Sequence, residues 1–184
     1  KRGFRPATIV TRSFTVLRTP FDQAHLKRTL RVNYGWDQTT SKDMKLDPAW
    51  DRSVDIWSGM VAMKTAGQNT TLLNGTGVPY GLFGLFVGGD DIDEVLESGV
   101  NSIAVWVLDT DAEFEVLDPA FDSAQTWTDP GNGTITLVHA STTGANRGKL
   151  VPAGAANAST RPVARLLQVV SATKIIIGGL SGTV

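Results

Sequence analysis

From Ile56 to the end of the chain, short β-prone runs rich in Val, Ile, Thr and aromatic residues follow one another, with turn residues between them. They lie at 56–63, 81–87, 102–108, 112–117, 134–139, 149–151, 163–170 and 174–177. Strands this short, recurring roughly every 8–12 residues, suit an all-β barrel or sandwich. The long Ala/Leu/Glu/Lys stretches of a helical protein are missing, and the 19 glycines favour turns. Gly81 and Gly84 interrupt an apolar run, where glycine marks a bulge or a close backbone approach. One short helix is expected at 90–97, with Ile92, Val95 and Leu96 at helical spacing and Asp90, Asp91 and Asp93 in its first turn. No internal repeat is visible. A chain of 184 residues suits one compact domain with an appendage. At this size about 70% of the extended-chain surface is buried without any staple. There is no cysteine, which excludes disulfides and thiolate metal sites.

Net charge is −1, but the charges are segregated. Residues 1–31 hold eight cationic side chains (Lys1, Arg2, Arg5, Arg12, Arg18, Lys27, Arg28 and Arg31) against the single acid Asp22. Residues 65–146 hold twelve Asp or Glu and no Lys or Arg, and residues 147–184 hold five basic residues and no acid. Zoning of this kind concerns partners and self-association. Three segments are expected: a basic N-terminal arm at 1–33, a Trp-containing connecting loop at 34–53, and a barrel-like domain at 54–184. The arm is β-prone around 8–17, Pro20 interrupts it, and 21–32 reads as either a short helix or a second strand. The loop has Gly35 and Pro48 as breakers, with Trp36 and Trp50 as anchors. The first ten residues are basic without the continuous apolar stretch of a secretory signal. No apolar run approaches the roughly 20 residues that span a bilayer.

The chain offers little material for catalysis. Its two histidines are His25 in the arm and His139 in a strand, and it has no G-x-S-x-G elbow, H-E-x-x-H or P-loop. Asp109, Asp111, Glu113 and Glu115 alternate, so a strand puts all four carboxylates on one face. Such a row is a solvated face, or else it meets a Ca²⁺ ion or a basic partner; no EF-hand loop accompanies it. Asp90, Asp91 and Asp93 read as helix N-terminal charges. No metal or other cofactor is expected. Phe4, Phe14 and Phe21 interleave with arginines as in nucleic-acid-tracking segments. The β-prone Ile9, Val10, Val16 and Leu17 favour a protein partner through strand addition instead. Neither nucleic acid nor membrane is expected as a partner. Trp57 and Trp106, in apolar runs, read as core; Trp36, Trp50 and Trp127, in loops, read as interface anchors. The loop tryptophans also leave open a carbohydrate- or receptor-binding β module. Four Asn-x-Ser/Thr sites (Asn69, Asn74, Asn132, Asn157) follow from turn composition.

About two-thirds of the chain, from Ile56 onward, resembles the capsid decoration (cement) proteins of tailed bacteriophages. The likeness runs through IWSGMVAM at 56–63, PYGLFGLF at 79–86, the 90–97 segment, 102–108 and DAEFEVLDPAF at 111–121, and ends in 161–165 and 174–180. It implies a small β-barrel of the β-tulip kind on the outer capsid surface, frequently a homotrimer, with an N-terminal arm that clamps neighbouring capsomers of the major capsid protein. It carries over no catalytic residues. On this reading Arg2, Phe4, Arg5, Arg12, Phe14, Arg18, Trp36 and Trp50 contact the capsid. A contact between protomers sets Arg161 and Arg165 of one chain on Asp109, Asp111, Glu113 and Glu115 of the next. The chain departs from the smallest members in its long basic arm and its Trp-containing loop.

Overall fold

The computed structural model describes residues 29–34, 40–51, 53–84, 103–107, 112–131 and 133–180. They form eleven strands: β1 (Leu30–Tyr34), β2 (Thr40–Leu46), β3 (Val61–Lys64), β4 (Asn69–Leu72), β5 (Pro79–Phe83), β6 (Ile103–Val107), β7 (Glu113–Leu117), β8 (Thr136–Ala140), β9 (Leu150–Pro152), β10 (Ala164–Ser171) and β11 (Lys174–Gly178). The all-β, barrel-containing expectation holds. Strands β2-β4-β3-β5-β6 close into a barrel, and β1-β7-β11-β10-β8-β9 form a six-stranded sheet. All pairings are antiparallel except β2 with β4.

Alternation sets the two faces of the sheet. Phe114, Val116, Ile175, Ile177, Ala164, Leu166, Val138 and Ala140 are buried on the inner face, while Glu113, Glu115, Lys174 and Arg165 alternate with them. In the barrel, consecutive residues such as Val61 and Ala62, or Leu82 and Phe83, are both buried. At those positions one side of the strand fills the barrel and the other is covered. Barrel and sheet share one core, and Trp106 of β6 meets Phe114 of β7 with ring centroids 5.5 Å apart.

Close backbone approach joins the layers. The apolar run broken by glycines behaves as expected: a Cβ on Gly81 would stand 2.5 Å from the Trp106 carbonyl oxygen. Gly148, at φ +77°, lies against β3 and β4; a Cβ there would meet Leu72 Cδ2 at 2.5 Å. The Gly148 carbonyl accepts the Val61 N–H at 2.6 Å, which lays the β8–β9 loop on the barrel. Thr29 Oγ1 donates to the Ser58 carbonyl at 2.6 Å beside the start of β1.

Several local expectations are corrected. Residues 34–53 are not only a connecting loop, because they supply β2, which closes the barrel against β6. Its apolar signal is thin: Met44 and Leu46 are buried while Lys42, Asp43 and Lys45 are exposed. Residues 30–33, assigned to the arm, belong to β1. The turn-rich stretch 65–79 contains β4, whose buried Thr70 satisfies its hydroxyl on the Met63 carbonyl at 2.9 Å. The strand expected from Ile56 begins at Val61; residues 57–60 form a turn closed by the Met60 N–H on the Trp57 carbonyl at 3.0 Å. The expected helix at 90–97 lies outside the described residues.

Candidate functional site

The outer face of the six-stranded sheet collects the charges. Glu113 and Glu115 alternate outward from β7, whose neighbours are β1 and β11. Those two strands come from the two basic zones of the chain. Arg31 of β1 reaches Glu115 Oε1 at 3.5 Å, and Lys174 of β11 reaches Glu115 Oε2 at 3.1 Å. Asn33 Nδ2 donates to Glu113 Oε2 at 3.2 Å. The basic–acidic–basic order along the sequence thus becomes a lateral order of strands, and Glu115 finds two cations within its own chain.

One strand further, Arg165 of β10 is in register with Gly178, which in turn faces Glu113. A Cβ on Gly178 would stand 3.2 Å from Arg165 Nε, so the arginine lies across the glycine, and that Nε is buried without a hydrogen-bond partner. Arg161 is exposed in the segment leading to β10. Of the residues expected to form a contact between protomers, the fold brings Glu113, Glu115 and Arg165 onto one face, with Arg161 off the end. Asp109 and Asp111 lie outside the described residues, as do Arg2, Phe4, Arg5, Arg12, Phe14, Arg18 and Trp36. The sequence reading did not single out Arg31, Asn33 or Lys174 as partners of the acidic strand; the charge zoning was the signal that pointed to them.

Trp50 corrects another expectation. It is only 7% exposed and belongs to the core cluster, so it is no open-loop anchor. Its indole Nε1 is buried without a hydrogen-bond partner. Trp127 is half-buried, edge-on to Phe121 at 5.5 Å, and donates from Nε1 to the Asp122 carbonyl at 2.9 Å. The buried Asp122 carboxylate accepts from Gln125 Nε2 at 3.0 Å and Asn146 Nδ2 at 3.1 Å, which holds the turn beneath Trp127. Trp106 is core, as expected, and Trp57 packs against the core half-buried.

Around Trp50 lies a second cluster. Arg147 Nη2 binds Asp51 Oδ2 at 2.5 Å, and Thr65 Oγ1 donates to Asp47 Oδ2 at 2.7 Å. Hydrogen bonds from the Ser53 hydroxyl, Arg147 and the Ser53 N–H hold the Asp51 carboxyl far below its ordinary range. The Thr65 hydroxyl and the Ala49 N–H lower Asp47. Both carboxylates are therefore ionised at neutral pH.

His139 serves the fold: its Nδ1 lies 2.6 Å from the Ser159 carbonyl oxygen and so carries the proton. Among the described residues no three His, Asp or Glu side chains are grouped to hold a metal ion, and no helix is long and apolar enough to cross a membrane. The arrangement provides a charged and hydrogen-bonding surface. A family model described as phage cement protein matches residues 16–181. No curated protein and no solved structure matches the chain significantly.

Proposed function

The chain belongs to the phage cement protein family, and from that premise we propose that it binds the outer surface of an assembled capsid and joins neighbouring capsomers. Its place is the outside of the virion capsid, and its role is structural, stabilising the head. The observation that carries this reading is the family match over nine-tenths of the chain, from residue 16 to residue 181.

The proposal assigns the clamp to the N-terminal arm, with Arg2, Arg5, Arg12 and Arg18 supplying charge and Phe4 and Phe14 supplying apolar area. Trp36 follows as a further contact. What supports the assignment is the arm's sequence, basic and β-prone together, which suits addition to a strand edge offered by an acidic partner. Charges set register and association rate, and buried aromatic area supplies more of the affinity. Between copies, the side chains of Arg161 and Arg165 would meet Asp109, Asp111 and Glu113 of the next protomer around a homotrimer. Glu115, already held by Arg31 and Lys174, contributes less to that contact. No catalysis is needed for this role.

Co-sedimentation with capsids assembled without the protein tests the proposal, comparing the full chain with a truncation lacking residues 1–28, which spares β1. The expected result is saturable pelleting of the full chain and none of the truncation. Pelleting of both would move binding to the folded core. Pelleting of neither at low salt, where attraction between charges is strongest, would overturn the capsid-binding reading.

A further inference from the structure

Toward the β9 edge of the six-stranded sheet lies an open depression of about 370 Å³. That volume falls within the range of small-ligand sites, about 300–1,000 Å³. One wall comes from the β7–β8 connection at 126–131 and Thr134, the other from 152–154 at the end of β9. Thr136 of β8 and Leu166 of β10, paired in register, complete it. β1, into which residues 1–28 lead, is the opposite edge of the sheet.

The groups around this space are held in place. Trp127 donates its Nε1 hydrogen to the Asp122 carbonyl at 2.9 Å and packs edge-on against Phe121 at 5.5 Å. The Asp122 carboxylate ties the same turn to Asn146 at 3.1 Å. With its N–H spent inward, the half-buried indole has only ring carbon left to offer. Asp129 is exposed, and its Oδ1 accepts the Val169 N–H at 2.7 Å, which fixes a carboxylate that has further lone pairs. Thr126, Thr128 and Thr134 are exposed and Thr136 is half-buried; each hydroxyl can both donate and accept. Groups fixed in advance lower the ordering cost of binding.

Their chemistry selects a ligand class. An apolar ligand would dry the carboxylate and the hydroxyls without giving them partners. Among the described residues no Lys or Arg lines the depression, so an anionic ligand would face Asp129 without a described counter-charge. A small cation would engage Asp129 and the ring and leave most of the hydroxyls unused. A neutral sugar uses all three kinds of group. Its C–H face suits the electron-rich face of the indole, and its hydroxyls donate to Asp129 and exchange hydrogen bonds with the threonines.

We propose that this depression binds a neutral saccharide, with one pyranose ring against Trp127 and its hydroxyls on Asp129 and the threonines. The inference goes beyond capsid binding and does not depend on it, because the free protein carries the site.

Calorimetric titration of the full-length protein with gluco-, galacto- and manno-configured neutral oligosaccharides tests it. At least one should saturate the site at millimolar concentration. Asp129→Asn keeps the Oδ1 acceptor for Val169, removes the charge, and should weaken binding about tenfold. Trp127→Ala should abolish binding. If circular dichroism shows that it does not fold, Thr134→Val replaces it, with binding about fivefold weaker. Saturation by none of the neutral oligosaccharides would overturn the site. Saturation that no folded variant changes would place the sugar elsewhere and overturn it equally. Binding of sialylated oligosaccharides alone, or of tetramethylammonium alone, would overturn the neutral class. Loss of capsid pelleting by Asp129→Asn, with no saccharide bound by the wild type, would give the depression to the capsid instead. Failure of the wild type to bind capsids leaves the titration untouched, so the two readings fail separately.

Discussion

Replacing Glu115 by Gln keeps the side-chain volume and removes the charge that faces Arg31 and Lys174. At 3.1 and 3.5 Å the Coulomb attraction in bulk water is about 1.3 and about 1.2 kcal/mol. Holding two long cationic side chains in place, and screening of Arg31 by solvent, offsets more than half of that. Glu115 itself is only 19% exposed, so a net loss of about 1 kcal/mol is expected. With a urea slope of about 2 kcal/mol per M, the unfolding midpoint falls by about 0.5 M. Salt separates this from a packing defect. In 1 M NaCl the screening length shrinks to about 3 Å, and the deficit should fall to less than about half. A double-mutant cycle with Lys174→Gln should return a coupling of about 0.5 kcal/mol. A Glu115→Gln protein with the wild-type midpoint at low salt would refute the argument, and so would a deficit of equal size at both salt concentrations.

Three further outcomes follow from the packing and the exposed acids. Phe114→Ala empties a fully buried site where the sheet meets Trp106, and should cost about 3–5 kcal/mol and lower the calorimetric melting temperature by about 10 °C; a loss under about 1 kcal/mol would mean that the seam carries little. Gly148→Ala combines a left-handed backbone with a Cβ 2.5 Å from Leu72 Cδ2, and urea unfolding should show a loss of about 2 kcal/mol. Asp47 and Asp51 have folded-state pKa values below their unfolded ones, so their stabilisation is complete above about pH 4 and is lost as pH falls through the lowered folded values. Acid titration of stability should therefore be shallower in Asp51→Asn than in the wild type, and equal slopes would count against the Arg147 and Ser53 contacts.

The sequence was most legible where alternation was strong and the strand buried one face. The EFEVL run of β7 and the β10–β11 hairpin could be placed from their patterns, because a period of two with Phe, Val or Ile on alternate positions has few other readings. β2 and β4 were not legible. They are polar, and what makes them strands is pairing: β2 with distant β6, as Thr40 with Val107, and β4 with neighbouring β3 and with β2. Trp50 misled for a related reason: an aromatic residue in a polar stretch reads as exposed, yet the fold buries it in the core cluster. The acidic row was visible, but its partners were not, since Arg31 and Lys174 stand at opposite ends of the sequence and only the strand order brings them to β7.

The position of β1 has a mechanical consequence. Residues 1–28 continue into the fold through this edge strand, which runs antiparallel to β7 from Leu30 opposite Val116 to Tyr34 opposite Glu113. Tension directed along the strand axis loads that whole ladder in shear, so its hydrogen bonds must break together. Tension across the axis peels them one at a time from Leu30, and the Arg31–Glu115 pair stands at the first step. The same five residues are therefore strong against one direction of pull and weak against the other, and the rupture force depends on the angle of the pull.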